Sequence, residues 1–370
     1  MLVVKLSIRH AACAAMILAA VGACATEASA PPKHIGRIID RKTLCAEPGR
    51  YIGWPTIARA ANGDLMAVFS GDRDAHVSPD GKTQLVRSTD RGATWSAPVT
   101  INDLPIDDRD AGIVRTSRGT LVVSWFTGPS QQYTGLQGCF VMRSIDNGRT
   151  WSAPIRTQVS TPHGPVALAD GRLIYIGQMP HCSHVKPPDY NGMPAGAPYA
   201  VAVEESRDDG ASWQLLARFP IPDDARMLSY DEPHIVETAA KTLVALFRDC
   251  NPPNRLRQSE SRDGGRTWST PATTPIHGYP PHLIRLRNDW LLVSYAKRWP
   301  PFGIFACVSK DHGATWLAER ELRLSEADDG DLGYPASVQL EDGSIWTVYY
   351  QAAKPGEKPS LVGTHWKLAE

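Results

Sequence analysis

Apolar and polar residues alternate along most of this chain in short runs, and six of those runs share one layout. They read Leu65-Met-Ala-Val-Phe69, Leu121-Val-Val-Ser-Trp125, Leu173-Ile-Tyr-Ile176, Leu243-Val-Ala-Leu-Phe247, Leu291-Leu-Val-Ser-Tyr295 and Ile345-Trp-Thr-Val-Tyr349. Their length and their β-branched and aromatic content predict strands. Each follows a turn, at Asn62-Gly63, Arg118-Gly119, Asp170-Gly171, Ala240-Lys241, Asn288-Asp289 and Asp342-Gly343. Before each turn comes another strand-like run, opened by a tetrad rich in special residues. No helical periodicity, coiled coil or low-complexity tract interrupts this order.

A second repeat lies between these hairpins. Ser-x-Asp-x-Gly-x-Thr/Ser-Trp occurs at Ser88–Trp95, Ser144–Trp151, Ser206–Trp213, Ser261–Trp268 and Ser309–Trp316. The Asp can fold its carboxylate onto nearby backbone N–H groups and close a tight turn. The Gly tolerates positive φ, and the Trp is a wedge suited to packing between layers. Successive aspartates, Asp90, Asp146, Asp208, Asp263 and Asp311, lie 56, 62, 55 and 48 residues apart, the period of a stacked or radial array. The motif resembles the Asp box, also called the bacterial neuraminidase repeat.

Together the two repeats define a unit of four antiparallel strands, and six units predict an all-β, six-bladed propeller over residues 31–370. The sixth unit lacks an Asp box. Residues 34–40 are expected to add a strand to it and close the ring, removing the exposed edges of an open array. The Pro- and Gly-rich stretch 181–198, within the third blade, is long enough to suggest a functional loop.

Composition adds bounds. Lys plus Arg and Asp plus Glu both number 39, a formal charge of zero, so no global field favours nucleic acid or an anionic membrane. Residues 1–30 read as a bacterial export signal: Lys5, Arg9 and His10 precede an apolar run from Ala11 to Ala23 too short to span a bilayer comfortably. Cleavage after Ala28-Ser29-Ala30 and lipidation at Cys24, within Val21-Gly22-Ala23-Cys24, are both open. The expected location is therefore periplasmic or outer-membrane associated, with a possible lipid anchor and no membrane span. Cys45, Cys139, Cys182, Cys250 and Cys307 are too few and too scattered for a disulfide scaffold.

The inner strands of a propeller converge at one face, so chemistry is sought in the six tetrads. These are Gly53-Trp54-Pro55-Thr56, Arg109-Asp110-Ala111-Gly112, Thr161-Pro162-His163-Gly164, Asp231-Glu232-Pro233-His234, Tyr279-Pro280-Pro281-His282 and Gly333-Tyr334-Pro335-Ala336. They hold Arg109, Asp110, His163, Glu232, His234, His282 and Tyr334 at a common register. The three histidines come from separate blades without short ligand spacing. Contacts to sugar hydroxyls, or acid/base work near neutral pH, suit them better than a metal. No cofactor is expected.

The repeats, leader and blade count resemble the sialidase (neuraminidase) superfamily. That resemblance implies a Tyr nucleophile paired with a Glu, an acid/base Asp from the first blade, and three arginines gripping a substrate carboxylate. Tyr334 matches the nucleophile, Glu232 its partner, Arg248 the second clamp Arg, and Arg298 more loosely the third. The chemistry is coherent: a carboxylate can take the phenol proton, a neutral attacker avoids repulsion by an anionic sugar, and Arg grips carboxylates bidentately. Two positions depart from the pattern. Gly53 stands where the first clamp Arg belongs, and Lys82 where the acid/base Asp belongs. Asp72, Asp74, His76 and Asp80 are nearby substitutes, with His76 and Asp74 taken as catalytic candidates; Arg73 or Arg109 could replace the missing clamp. The expected activity is that of an exo-acting glycoside hydrolase on a terminal sialic-acid-like or other acidic sugar. A uronic-acid lyase and a non-catalytic carbohydrate-binding propeller remain alternatives, and the partner in each case is an acidic glycan.

Overall fold

The computed structural model describes residues 33–128, 130, 132–179, 200–221 and 229–369. The expected export signal and the whole 181–198 stretch, with Cys182, lie outside the described residues. Among those described there are 24 strands in six four-stranded antiparallel sheets, the six-bladed arrangement expected. Five blades are continuous in sequence, their inner strands being Tyr51–Arg59, Asp108–Arg115, Val166–Ala167, Asp231–Glu237 and His282–Arg285. The sixth runs, from outside to inside, Gly36–Cys45, Ser360–Leu368, Ile345–Gln351 and Leu332–Gln339. Its outer strand therefore comes from the start of the described chain, longer than expected, and pairs antiparallel with Ser360–Leu368. Ring closure pairs an edge that would otherwise invite aggregation.

The alternation seen in sequence puts one set of side chains into each interface between blades. Between the sixth and first blades, Ile57, Leu65, Phe69, Val86, Ala336, Trp346 and Leu361 form one buried cluster. Between the third and fourth, Phe219, Phe247 and Trp268 do so. The layers are thus the blades themselves, and each buried strand face contributes at roughly 25 cal/mol per Å² of apolar area removed from water.

The Asp turns sit at the outer edge, with repeated geometry. In Ser261–Trp268, Asp263 accepts from Ser261 Oγ at 2.9 Å, from Thr267 N–H at 2.9 Å and from Thr267 Oγ1 at 2.6 Å. Gly265 N–H donates back to Ser261 Oγ at 2.9 Å. Asp90, Asp146, Asp208 and Asp311 are held in the same way. The residue before each Gly is also left-handed (Arg91, Asn147, Asp209, Gly264 and His312 at φ 58–73°). That second strained position is one the motif does not advertise. Trp268 Nε1–H closes its turn by donating to Gly265 O at 3.0 Å.

Candidate active site

Four of the six inner strands open on a kink. Register shifts between Gly53 and Thr56, Arg109 and Gly112, Asp231 and His234, and Gly333 and Ala336 mark β-bulges. Inside them Trp54, Asp110, Glu232 and Tyr334 have φ of 53°, 54°, 41° and 53°, and His163 has 73° in the third blade. Non-glycine residues held there cost on the order of 1–3 kcal/mol each and persist where the surroundings over-determine them. Four tetrads thus store backbone strain at the second position, where functional side chains were expected.

Two of those residues meet directly. Tyr334 O–H donates to Glu232 Oε1, while Arg248 Nη1 donates to Glu232 Oε2 at 2.5 Å and lies 3.4 Å from the Tyr334 hydroxyl. Arg248 also stacks over Tyr279 at 4.3 Å and donates to Cys250 Sγ at 2.9 Å. Arg298 donates to Leu332 O at 2.9 Å and to Tyr350 Oη. Its guanidinium carbon lies 5.9 Å from the Tyr334 ring. Burial, and next the charge of Glu232, push the Tyr334 phenol well above its usual range. Burial also opposes charge on Glu232, but Arg248 and the hydrogen bonds outweigh it and hold the carboxyl below its usual range. The resting pair is therefore a phenol beside a carboxylate, with Arg248 on the carboxylate's other oxygen.

Around this pair lie Asp231, Tyr51 and Tyr350, which pattern reading missed, together with Asp110, which its tetrad had singled out. Asp231 is buried, accepts from Gln178, and is pushed up to about 7 by burial and then by Glu232. Asp110 rises to about 7, chiefly through burial; its Oδ1 has no protein partner among the described residues. Tyr51, Trp54, Tyr334 and Tyr350 form a buried aromatic cluster. A Cβ on Gly53 would meet Tyr51 Cε1 at 3.1 Å, so the Tyr51 ring covers the position where an arginine was expected. The adjacent acids Asp231-Glu232 were the available signal for the first of these. Nothing local marks Tyr51 or Tyr350, which reach the cluster from different blades.

The other expected residues divide. Arg109 is near the centre, stacked over Trp54 at 4.6 Å. Arg73 is a correction: its side chain is wholly buried, bound to both oxygens of Asp107 and stacked on Trp54 at 4.8 Å, so it cannot grip a substrate itself. Asp74 is another, since it points outward, 68% exposed, and pairs with Arg50 at 2.5 Å. His76 lies at the rim of the aromatic cluster, its Nδ1 2.8 Å from Tyr51 Oη.

His163, His234 and His282 do converge, with ring centroids 4.5–5.7 Å apart, but they line the other half of the axis. They close one end of a cavity of about 590 Å³ bounded by the later halves of the inner strands, with Arg59, Arg115 and Glu237 among its walls. Leu283 N–H donates to His234 Nδ1 at 3.0 Å and Ser337 N–H to His282 Nδ1 at 3.2 Å. Both neutral rings therefore carry their proton on Nε2. Burial holds His234 down to about 3 and the other two well below the usual imidazole range. These rings form a neutral partition across the axis rather than acid/base groups titrating near neutral pH. Among the described residues no group of three or more His, Cys, Asp or Glu side chains could hold a metal ion. No helix there is long and apolar enough to cross a membrane.

Comparison with known proteins places this geometry. A sialidase of Bacteroides fragilis (strain YCH46) is 24% identical over 347 residues, covering 80% of this chain; the chain spans 59% of that relative's length. A Dyadobacter fermentans protein of unknown function superposes with a TM-score of 0.75 at 21% identity, covering 90% of this chain and all of that one. The Hadza microbial sialidase Hz136 gives 0.64 at 20%, covering 86% and 66%. The family model described as "BNR repeat-like domain" matches residues 110–347, more than half of the chain. With the repeated Asp turns and six-bladed ring already in view, this chain belongs to the BNR repeat-like domain family, on a propeller related in fold to the bacterial sialidases.

Proposed function

We propose that this protein is an exo-acting glycosidase that removes a terminal acidic sugar through a covalent intermediate on Tyr334. The observation that carries the reading is the Tyr334–Glu232 hydrogen bond, at strained positions on two different inner strands. In this reaction Tyr334 Oη attacks the anomeric carbon as its proton passes to Glu232, and the bond to the leaving oxygen breaks. Arg248 keeps Glu232 ionised beforehand and in place during the transfer. A phenol needs such a base to act as nucleophile, and Tyr is the known alternative to a carboxylate nucleophile among glycosidases. Arg109 over Trp54, Arg248 on Glu232 and Arg298 near the Tyr334 ring supply positive charge around the site, which suits an anionic sugar better than a neutral one. The histidine partition closes the axis behind the site, which suits a chain end rather than a threaded polymer. The homology to a named sialidase agrees with the reaction class without naming the sugar.

The test is to assay the full chain against 4-methylumbelliferyl glycosides of sialic, glucuronic and neutral sugars and against acidic oligosaccharides. Both fluorophore release and ultraviolet absorbance are followed. Release from an acidic glycoside, lost in Tyr334→Phe, is expected. An unsaturated, ultraviolet-absorbing product would replace hydrolysis with elimination, and saturable binding without turnover would make the propeller a binding module.

A further inference from the structure

The loop after the second strand of the first blade carries Asp72, Asp74, His76 and Asp80, and the structure separates them. Asp72 is paired with Arg50 and Lys82, each at 2.9 Å. Asp74 faces outward on Arg50. Asp80 accepts from Ser78 Oγ at 2.5 Å. His76 alone faces the aromatic cluster, its ring edge-on to Trp54 at 4.9 Å and to Tyr51 at 5.7 Å. Trp54 in turn lies edge-on to Tyr334 at 6.3 Å. With 47% of its side chain exposed, His76 spans the wall of the site and its opening. Its backbone carbonyl is fixed from below by Arg73 Nη2 at 3.1 Å, so the buried Arg73–Asp107 pair anchors the loop.

We propose that His76 is the proton-transfer group of this site, and that Tyr51 and Asp331 are positioning residues that determine which of its nitrogens reacts. Tyr51 O–H donates to Asp331 Oδ1 at 2.7 Å. Its single proton thus committed, the Tyr51 oxygen can only accept from His76 Nδ1 at 2.8 Å. The proton of the neutral ring is therefore on Nδ1, and Nε2 carries the exchangeable lone pair. Burial and Asp331 keep Tyr51 a phenol, well above its usual range. In the first half-reaction the ring, which has taken a solvent proton onto Nε2 as substrate binds, gives that proton to the departing glycosidic oxygen while Tyr334 attacks and Glu232 takes the phenol proton. In the second, neutral Nε2 removes a proton from water, whose oxygen bonds the anomeric carbon; the bond to Tyr334 breaks and Glu232 returns the proton to the phenolate. Protons and bonds balance over the two steps, and His76 ends as it began.

The charges facing His76 give the scheme a trigger. Burial, followed by Arg109, Arg298 and Arg73, holds the imidazole down to about 4, with Glu232 acting in the opposite sense and Asp331 Oδ1 4.0 Å away. A substrate carboxylate settling on Arg109 and Arg298 would mask these two charges and favour the protonated ring. The acid form of His76 is then populated when substrate is bound.

This inference rests on the glycosidase reading, and its test separates the two. In the full chain with 15N-labelled histidine, imidazole NMR should find His76 as the Nδ1–H tautomer and lose that preference in Tyr51→Phe. An Nε2–H tautomer in the wild type would overturn the relay whatever the substrate. In turnover, His76→Ala should lose roughly 100-fold or more on a glycoside with a sugar leaving group. It should lose much less in the first step with a nitrophenyl leaving group, and azide should rescue the second. Asp331→Asn and Tyr51→Phe should shift the pH profile of kcat with KM little changed. Equal losses on both leaving groups, or a pH profile in Tyr51→Phe superimposable on the wild type, would overturn the proposal. Inactivity of Tyr334→Phe would leave the glycosidase reading standing in that case.

Discussion

Replacing Tyr334 with Phe deletes one oxygen and is the sharpest separation of chemistry from fold that this site allows. The lost group donates to Glu232 and lies 3.4 Å from Arg248. A hydrogen bond to a charged acceptor contributes about 1.5–3 kcal/mol, but here Glu232 keeps Arg248 on its other oxygen at 2.5 Å. The Phe ring also retains the contacts to Trp54 and Tyr350, at 6.3 and 6.0 Å. The net destabilisation should therefore fall at or just below that range's lower bound, about 1–1.5 kcal/mol, a few degrees of melting temperature at most for a chain of this size. Turnover should fall at least ~10³-fold, about 4 kcal/mol at 1.36 kcal/mol per decade, because Tyr334 supplies the hydroxyl bonded to Glu232 among the described residues. Initial rates on the acidic aryl glycoside and a thermal melt on the same preparation measure both. A folded variant within tenfold of wild-type kcat/KM would refute the nucleophile assignment. Glu232→Gln makes the complementary case. It should lose comparable activity but more stability, because it leaves the buried Arg248 charge without its partner.

Other consequences follow from the periphery and the anchor. Asp263→Ala should cost roughly 1–2 kcal/mol, through the turn bonds to Ser261 and Thr267, and leave kcat/KM of the folded protein unchanged; lost activity in a fully stable variant would contradict its structural role. Hydrogen bonds from Thr94 and Thr267 hold Asp90 and Asp263 down to about 2. Their stabilisation is thus complete above the unfolded value near 3.8 and lost as pH falls through about 2. Melting temperature should drop between pH 4 and 2 by less in Asp263→Ala than in the wild type. Arg73→Met leaves Asp107 buried without its bidentate partner and should destabilise by about 3–5 kcal/mol, measured by urea unfolding; a change under 1 kcal/mol would remove Arg73 from its anchoring role.

The propeller was legible because its causes are local. Alternation, turn residues and the Asp motif act within a few residues, and repetition multiplied a weak signal sixfold. The entry of Tyr334 and Glu232 at the axis was legible for the same reason, since a tetrad at fixed register can be counted along the chain; Arg248, at the end of a neighbouring strand, was expected only from the family resemblance. Contacts across blades were not. Arg73 and Arg109 are equally plausible clamps in sequence, yet the first is consumed by Asp107 and the second stacks on Trp54 near the centre. The three histidines sit in tetrads at the same register, His234 in the one that holds Glu232, but two further residues along the strand suffice to carry His234 past the site into the opposite cavity. Asp74 and His76 are neighbours in one loop, and only the Tyr51–Asp331 pair, from the first and sixth blades, distinguishes them. Sequence alone determined the repeat, the blades and the register at which the candidate site's side chains enter the axis, because those depend on local backbone preference and periodic burial. Tertiary structure decided which of those side chains meet, which are neutralised and which face another cavity, because each outcome depends on distances between residues far apart in the chain.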